Sequence, residues 1–151
     1  MLEQLTERMI VRASPECCLE VALDVEKYPE WATDIKEVEV LVRDKGGRAE
    51  HVRFRATAFG RSTTYTLVYD HSAAPATLSW KLDEGDLTRV LDGWYTFEPL
   101  DDGDTEVTYH LVAELRLPVP GFVKRRTEGR IMHTALRELK VRAEASASLG
   151  A

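Results

Sequence analysis

The sequence predicts an α+β fold: a curved antiparallel sheet of about seven strands wraps a long C-terminal helix, with two short helices after strand 1. Three observations carry this. From residue 35 to residue 115, apolar residues recur at every second position, the period of a half-buried strand. Short turns alone separate these runs, which forces antiparallel pairing, because parallel strands need long crossovers. Beyond residue 121 the period becomes helical: Met132, Ala135, Leu136, Leu139 and Ala143 form one stripe.

Residues 5–13 read as the first strand. Ser14-Pro15-Glu16 starts a helix, because serine supplies a capping oxygen, proline fits the first helical position, and an acid suits the positive end of the dipole. Leu19, Ala22 and Val25 follow at helical spacing, and Pro29 is expected to end the helix by disfavouring a helical Tyr28. Glu30-Trp31-Ala32 reads as a second helical turn.

In the strand that follows, Val38, Val40 and Val42 alternate with Glu37, Glu39 and Arg43. After the turn Lys45-Gly46-Gly47, the residues Val52, Phe54, Ala56 and Ala58 share a face. Phe59-Gly60-Arg61 turns the chain into strand 61–71, where Tyr65, Leu67 and Tyr69 point one way. Pro75 breaks the chain, Leu78, Trp80 and Leu82 form the next inner set, and the acidic run 83–86 ends that strand. Strand 88–98 places Leu91, Gly93, Tyr95 and Phe97 on one face. After the turn 101–104, Val107, Tyr109, Leu111, Ala113 and Leu115 give the cleanest alternation. Pro118-Val119-Pro120-Gly121 stops the last strand, a helix spans 122–145 with Phe122, Val123 and Ile131 extending its stripe, and residues 145–151 are expected to fray. With no internal repeat or linker, residues 1–151 read as one domain.

The 151 residues suit one core, and the 20 basic against 26 acidic side chains give a net charge of −6, which argues against a nucleic-acid partner. Lys124-Arg125-Arg126 runs against that average and reads as a solvated helix face. No apolar run is long enough for an integral membrane segment, and the N-terminus lacks the basic start of a signal peptide. Cys17 and Cys18 are adjacent, a spacing that rarely forms a disulfide, so a reducing cytoplasm is the expected setting. Without clustered His or further Cys, neither a metal nor another cofactor is expected.

A helix is about 10 Å across, whereas seven strands at about 4.8 Å spacing make a sheet roughly 30 Å wide. The sheet must therefore curl around the helix, and such a curl tends to leave space beneath it. The inward aromatics Phe54, Tyr65, Tyr69, Trp80, Tyr95, Phe97 and Tyr109 either pack as core or line that space. The tyrosines favour a pocket, because a buried phenol needs a hydrogen-bond partner. The candidate ligand-binding set is Phe54, Tyr65, Leu67, Tyr69, Trp80, Tyr95, Tyr109, Leu111, Met132 and Leu136.

Three segments resemble a known family. They are Asp24-Val25-Glu26-Lys27-Tyr28-Pro29-Glu30-Trp31, the hairpin Trp94-Tyr95-Thr96-Phe97-Glu98-Pro99-Leu100 with Thr105-Glu106-Val107-Thr108-Tyr109, and Pro118-Val119-Pro120-Gly121-Phe122 before the last helix. Together they resemble the polyketide cyclase/dehydrase group of the START-related (SRPBCC) superfamily, whose fold is the helix-grip, and the likeness covers essentially the whole chain. It implies a hydrophobic cavity for a lipid, quinone or polyketide-like molecule, used by a carrier or sensor. In a minority of members the same pocket catalyses cyclisation or dehydration with polar Arg, Tyr or His side chains.

The sequence leaves the question of catalysis open. His51 and His110 are on the polar phase of their strands. His71 is in phase with Tyr69, and His133 borders the helix stripe; both are candidate acid–base groups. Arg89 is in phase with Leu91 and Tyr95, so it is expected to point inward and orient an oxygen, or else to pair with Asp86 or Glu84. No nucleophile elbow, zinc-protease motif or phosphate loop is present. An apolar pocket needs only shape: burying roughly 300 Å² of ligand at about 25 cal/mol/Å² supplies about 7 kcal/mol before association costs. Trp94, on the outer face of its strand, points to a homodimer or partner patch.

Overall fold

The computed structural model describes residues 3–58, 60–116 and 119–150. In order the elements are β1 (Glu3–Val11), α1 (Pro15–Leu23), a 3₁₀ turn (Val25–Lys27), α2 (Tyr28–Trp31), β2 (Ile35–Arg43), β3 (Ala49–Ala58), β4 (Arg61–Asp70), β5 (Thr77–Gly85), β6 (Thr88–Pro99), β7 (Thr105–Leu115) and α3 (Gly121–Gly150). Every strand pair is antiparallel, in the order β1-β7-β6-β5-β4-β3-β2. The first strand thus joins the meander beside the last one. This is the helix-grip arrangement.

Local chemistry explains the boundaries. Ser14 Oγ accepts a hydrogen bond from the Cys17 N–H at 3.1 Å, capping α1. At the β2–β3 turn, Asp44 Oδ1 accepts from the Gly46 and Arg48 amides at 2.9 Å each, and Gly47 takes a φ of 85° that favours glycine. On the outer face, Glu37 lies opposite Arg55 and Glu39 opposite Arg53, with ion pairs of 2.8 and 3.0 Å. Arg55 holds the Glu37 carboxyl below its ordinary range by hydrogen bonding and charge.

Several boundaries differ from the sequence reading. β1 lies two residues earlier than expected. Tyr28 stays helical before Pro29, with φ −53° and ψ −39°, because the chain has already broken at Asp24 and restarts at α2. β5 continues through the acidic run to Gly85, because Glu84 and Gly85 pair with Thr66 and Tyr65. The C-terminal residues continue α3 to Gly150. Alanine favours a helix there, Ala143 is fully buried, and Ala147 packs against the core. Phe122 does not extend the buried stripe; it is 60% exposed.

The long helix does not sit over the middle of the sheet. Its main neighbours are β1, α1, β7 and α2. Met132, Leu136, Leu139 and Ala143 are buried in the core, where Val11, Val107, Cys18 and Leu19 are buried as well. Polar ties flank this packing: Lys140 Nζ donates to the Ile10 carbonyl at 3.0 Å, and Glu144 accepts from the Arg12 amide at 2.8 Å. Leu139→Ala is expected to destabilise the protein by about 2–5 kcal/mol, whereas Val141→Ala, at an exposed helix position, stays within about 0.5 kcal/mol. Urea denaturation followed by circular dichroism measures both.

Candidate ligand cavity

Because α3 rests on the β1–β7 side, the inner face of β3 to β6 faces a gap. A cavity of about 150 Å³ occupies it. The sheet contributes Phe54, Tyr65, Leu67, Tyr69, Trp80, Leu91, Tyr95, Tyr109 and Leu111. Tyr28 and Trp31 close it from α2, Ala32 and Asp34 from the loop after α2, and Ile35 from the start of β2. The helix supplies Ile131, Thr134, Ala135 and Glu138.

The aromatic residues pack mainly on one another. Tyr95 and Tyr109 meet edge to face at 4.7 Å, and Trp80 lies 5.4 Å from Tyr95 and 5.8 Å from Tyr109. Phe54 stacks between Tyr28 at 6.0 Å and Tyr65 at 5.4 Å. Such edge and offset contacts stabilise an aromatic floor without requiring the helix to fill it. Gly93, the partner of Trp80 across β5 and β6, makes this floor possible. A Cβ there would stand 2.8 Å from the Trp80 ring and 2.4 Å from the His110 carbonyl oxygen.

All five tyrosines of the chain line the cavity. Burial raises each phenol above its ordinary pKa, so each remains a neutral donor at physiological pH. The Tyr28 hydroxyl donates to the Ala22 carbonyl and so ties α2 to α1. Among the described residues, no protein hydrogen bond satisfies the hydroxyls of Tyr65, Tyr95 and Tyr109. A ligand or water in the cavity would supply one.

A second chamber of about 100 Å³ adjoins the first, sharing Asp34, Ile35, Tyr65, Leu91 and Ile131 with it. Its further walls are Ala56, Thr57, Thr63, Leu87, Thr88 and Leu115. The loop after α2 is clasped to the helix. Glu138 accepts from the Thr33 amide at 3.1 and 3.2 Å and from the Thr33 hydroxyl, and Arg142 pairs with Glu30 at 3.1 Å.

Eight of the ten residues assigned to ligand binding from sequence meet at this cavity: Phe54, Tyr65, Leu67, Tyr69, Trp80, Tyr95, Tyr109 and Leu111. Met132 and Leu136 do not; they face the packed side of α3, and the neighbouring flank turns to the cavity instead. Arg89 points outward, contrary to its expected phase. Thr88 pairs with Leu115 and Val90 with Glu114, so Arg89 is the extra residue of a β-bulge. Its side chain is 61% exposed and its guanidinium lies 3.9 Å from Glu114, rather than paired with Asp86 or Glu84. His71 lies outside both chambers, stacked on Tyr69, with Nε2 2.8 Å from the Ala49 carbonyl oxygen. His133 is on the outer surface of α3, 2.6 Å from Glu7. Trp94 stacks on His110 at 5.0 Å on the outer face of the sheet. Among the described residues, no group of three or more His, Cys, Asp or Glu side chains could hold a metal.

The residues missed from sequence are at the mouth and on the helix flank. Tyr28 and Trp31 stood in the first family-like segment, and their aromatic character was the available signal. Asp34, Thr134 and Glu138 carry no such mark, because a loop residue and a helix edge have no apolar period to follow.

A curled antiparallel sheet gripping one long helix around an apolar chamber defines the START-type class. The chain belongs to the family described as "Polyketide cyclase / dehydrase and lipid transport", whose model matches residues 3–144. A START superfamily protein from Mycobacterium smegmatis is 25% identical, with a TM-score of 0.87 over 94% of this chain and 97% of that one. The Zhui aromatase/cyclase from a Streptomyces species shares the fold at 18% identity, with a TM-score of 0.81 over 95% and 94% of the two chains. A protein of Thermus thermophilus does so at 21% identity, with a TM-score of 0.80 over 96% and 99%. No curated protein matches.

Replacing Tyr109 by Phe removes a hydroxyl that has no protein partner, so the expected loss of stability is below about 0.5 kcal/mol. Tyr28→Phe breaks the tie to Ala22 and is expected to cost about 1 kcal/mol or more. Paired chemical denaturation curves separate the two.

Proposed function

We propose that this protein binds a compact hydrophobic molecule in the cavity between the sheet and α3, as a carrier or sensor. The observation that carries this reading is the wall itself: aromatic and aliphatic side chains dominate it, and among the described residues no Lys, Arg or His lines it. Shape and burial supply affinity in such a site, and a few hydroxyls supply orientation. The family description and the aromatase/cyclase name of one fold neighbour support the same pocket as a ligand site. The cyclase/dehydratase alternative needs an acid or base against a particular carbon. His71, His133 and Arg89 stand outside the chambers, and of the two carboxylates on the wall Glu138 is held by Thr33 while Asp34 is an exposed loop residue at the rim, so binding is the preferred reading. We further read residues 1–151 as one domain working in the cytoplasm, a setting supported by the free thiols of Cys17 and Cys18. Burial pushes the Cys18 thiol up to about 11, which keeps it protonated and unreactive. No nucleic-acid partner is proposed. The outer face around Trp94 and His110 is the proposed surface for a homodimer, which sedimentation would register as a doubled mass. No helix among the described residues is long and apolar enough to cross a membrane.

Menadione, a neutral bicyclic quinone on the scale of the two adjoining chambers together, serves as the probe. Calorimetric titration is expected to give saturable 1:1 binding in the micromolar range. Ala135→Phe places a ring in the chamber from the helix side and is expected to weaken binding at least tenfold while the far-ultraviolet dichroism stays native. Absence of saturable binding, or equal binding by the variant, would overturn the proposal.

A further inference from the structure

The charges around the chambers narrow the class of ligand. Among the described residues, the charged side chains lining the first chamber are Asp34 and Glu138, and the one charged side chain lining the second is Asp34. Both are carboxylates. Glu138 is engaged by the Thr33 amide and hydroxyl. Asp34 differs: it is an exposed loop residue at the rim, its backbone carbonyl accepts from the Thr57 amide at 2.9 Å, and its carboxylate makes no protein hydrogen bond among the described residues, which leaves it open to a ligand. It stands where the two chambers meet, and its charge reaches inward far enough to add to the upward pull of burial on the Tyr65 phenol.

A ligand carboxylate in this chamber would leave water without meeting a cation and would lie near two like charges. Both effects oppose binding. The phenols of Tyr65, Tyr95 and Tyr109 offer hydrogen bonds, but a neutral donor does not replace a counter-ion. A ligand hydroxyl at the junction would donate to Asp34 in a charge-assisted bond, and ligand carbonyl oxygens deeper in would accept from the tyrosines. Size limits the class further. A cavity of about 150 Å³ lined by apolar side chains holds a molecule the size of benzene. The adjoining chamber of about 100 Å³ shares five wall residues with it, so a shift of those side chains would admit a second fused ring, whereas a diacyl lipid is far too large.

We infer that the pocket selects an uncharged, hydroxyl-bearing aromatic molecule of about two fused rings, with its hydroxyl on Asp34, and rejects the corresponding carboxylate. This rests on the ligand-binding reading above. It departs from the simple expectation that any lipid-like molecule, fatty acids included, would enter.

The test compares 2-naphthol with 2-naphthoate, which share a skeleton and differ in charge at pH 7. Calorimetry is run on the full chain and on Asp34→Asn, with menadione as the reference for an open pocket. In the native protein, 2-naphthol is expected to bind at least tenfold more tightly than 2-naphthoate. In Asp34→Asn that ratio is expected to fall at least threefold, with naphthoate gaining and naphthol losing. Equal affinities in the native protein, or a ratio unchanged in Asp34→Asn, would overturn the inference and leave the binding site standing. Menadione binding with no binding of either naphthalene would also overturn it. If menadione too fails to bind, the ligand-binding reading itself falls, and this inference with it.

Discussion

One helix has to cover seven strands. A single α3 rests mainly on the side of the sheet formed by β1 and β7, with α1 completing that contact. The apolar face of β3 to β6 is left to find partners elsewhere. Curling brings the strands toward the helix, and aromatic side chains fill much of the remaining width. The cavity is the part of this mismatch that neither device closes. The division also explains the two faces of α3: Met132, Leu136 and Leu139 are sealed in the core, and the adjacent Ile131, Thr134 and Ala135 border open space.

The chemistry of the site follows from what fills the gap. Aromatic rings that lean on one another make a wall stable without a ligand. Trp80 can lie across the sheet because Gly93 presents no side chain beneath it. Placing tyrosines in that wall adds hydroxyls that burial keeps neutral. The polar edge is acidic and includes the clasp between Glu138 and Thr33, so closure of the mouth and the charge of the mouth share a residue.

The meander of strands after α2, the alternation and most of the aromatic wall were legible in the sequence, because a one-sided sheet writes its inner face at every second residue; the place of β1 beside β7 was not. Arg89 shows where that rule stops. One extra residue in β6 reverses the phase, and nothing in a run of Thr88-Arg89-Val90 announces a bulge. Met132 and Leu136 show a second limit. A helical stripe reveals which residues are buried, but the rotation of α3 against β1 decides whether they meet core or cavity. Asp34 shows a third. It is an ordinary loop acid in sequence, and only the docking of the loop after α2 brings it to the junction of the chambers.

Ligand binding depends on a void that persists between the helix flank and the aromatic floor. Xenon-pressurised crystals test it most directly, since xenon enters dry apolar cavities and diffracts anomalously. The expected result is an anomalous peak bounded by Phe54, Trp80, Tyr109 and Ala135. A map with no peak there, and with Ile131 and Ala135 packed directly against Trp80 and Tyr109, would contradict it.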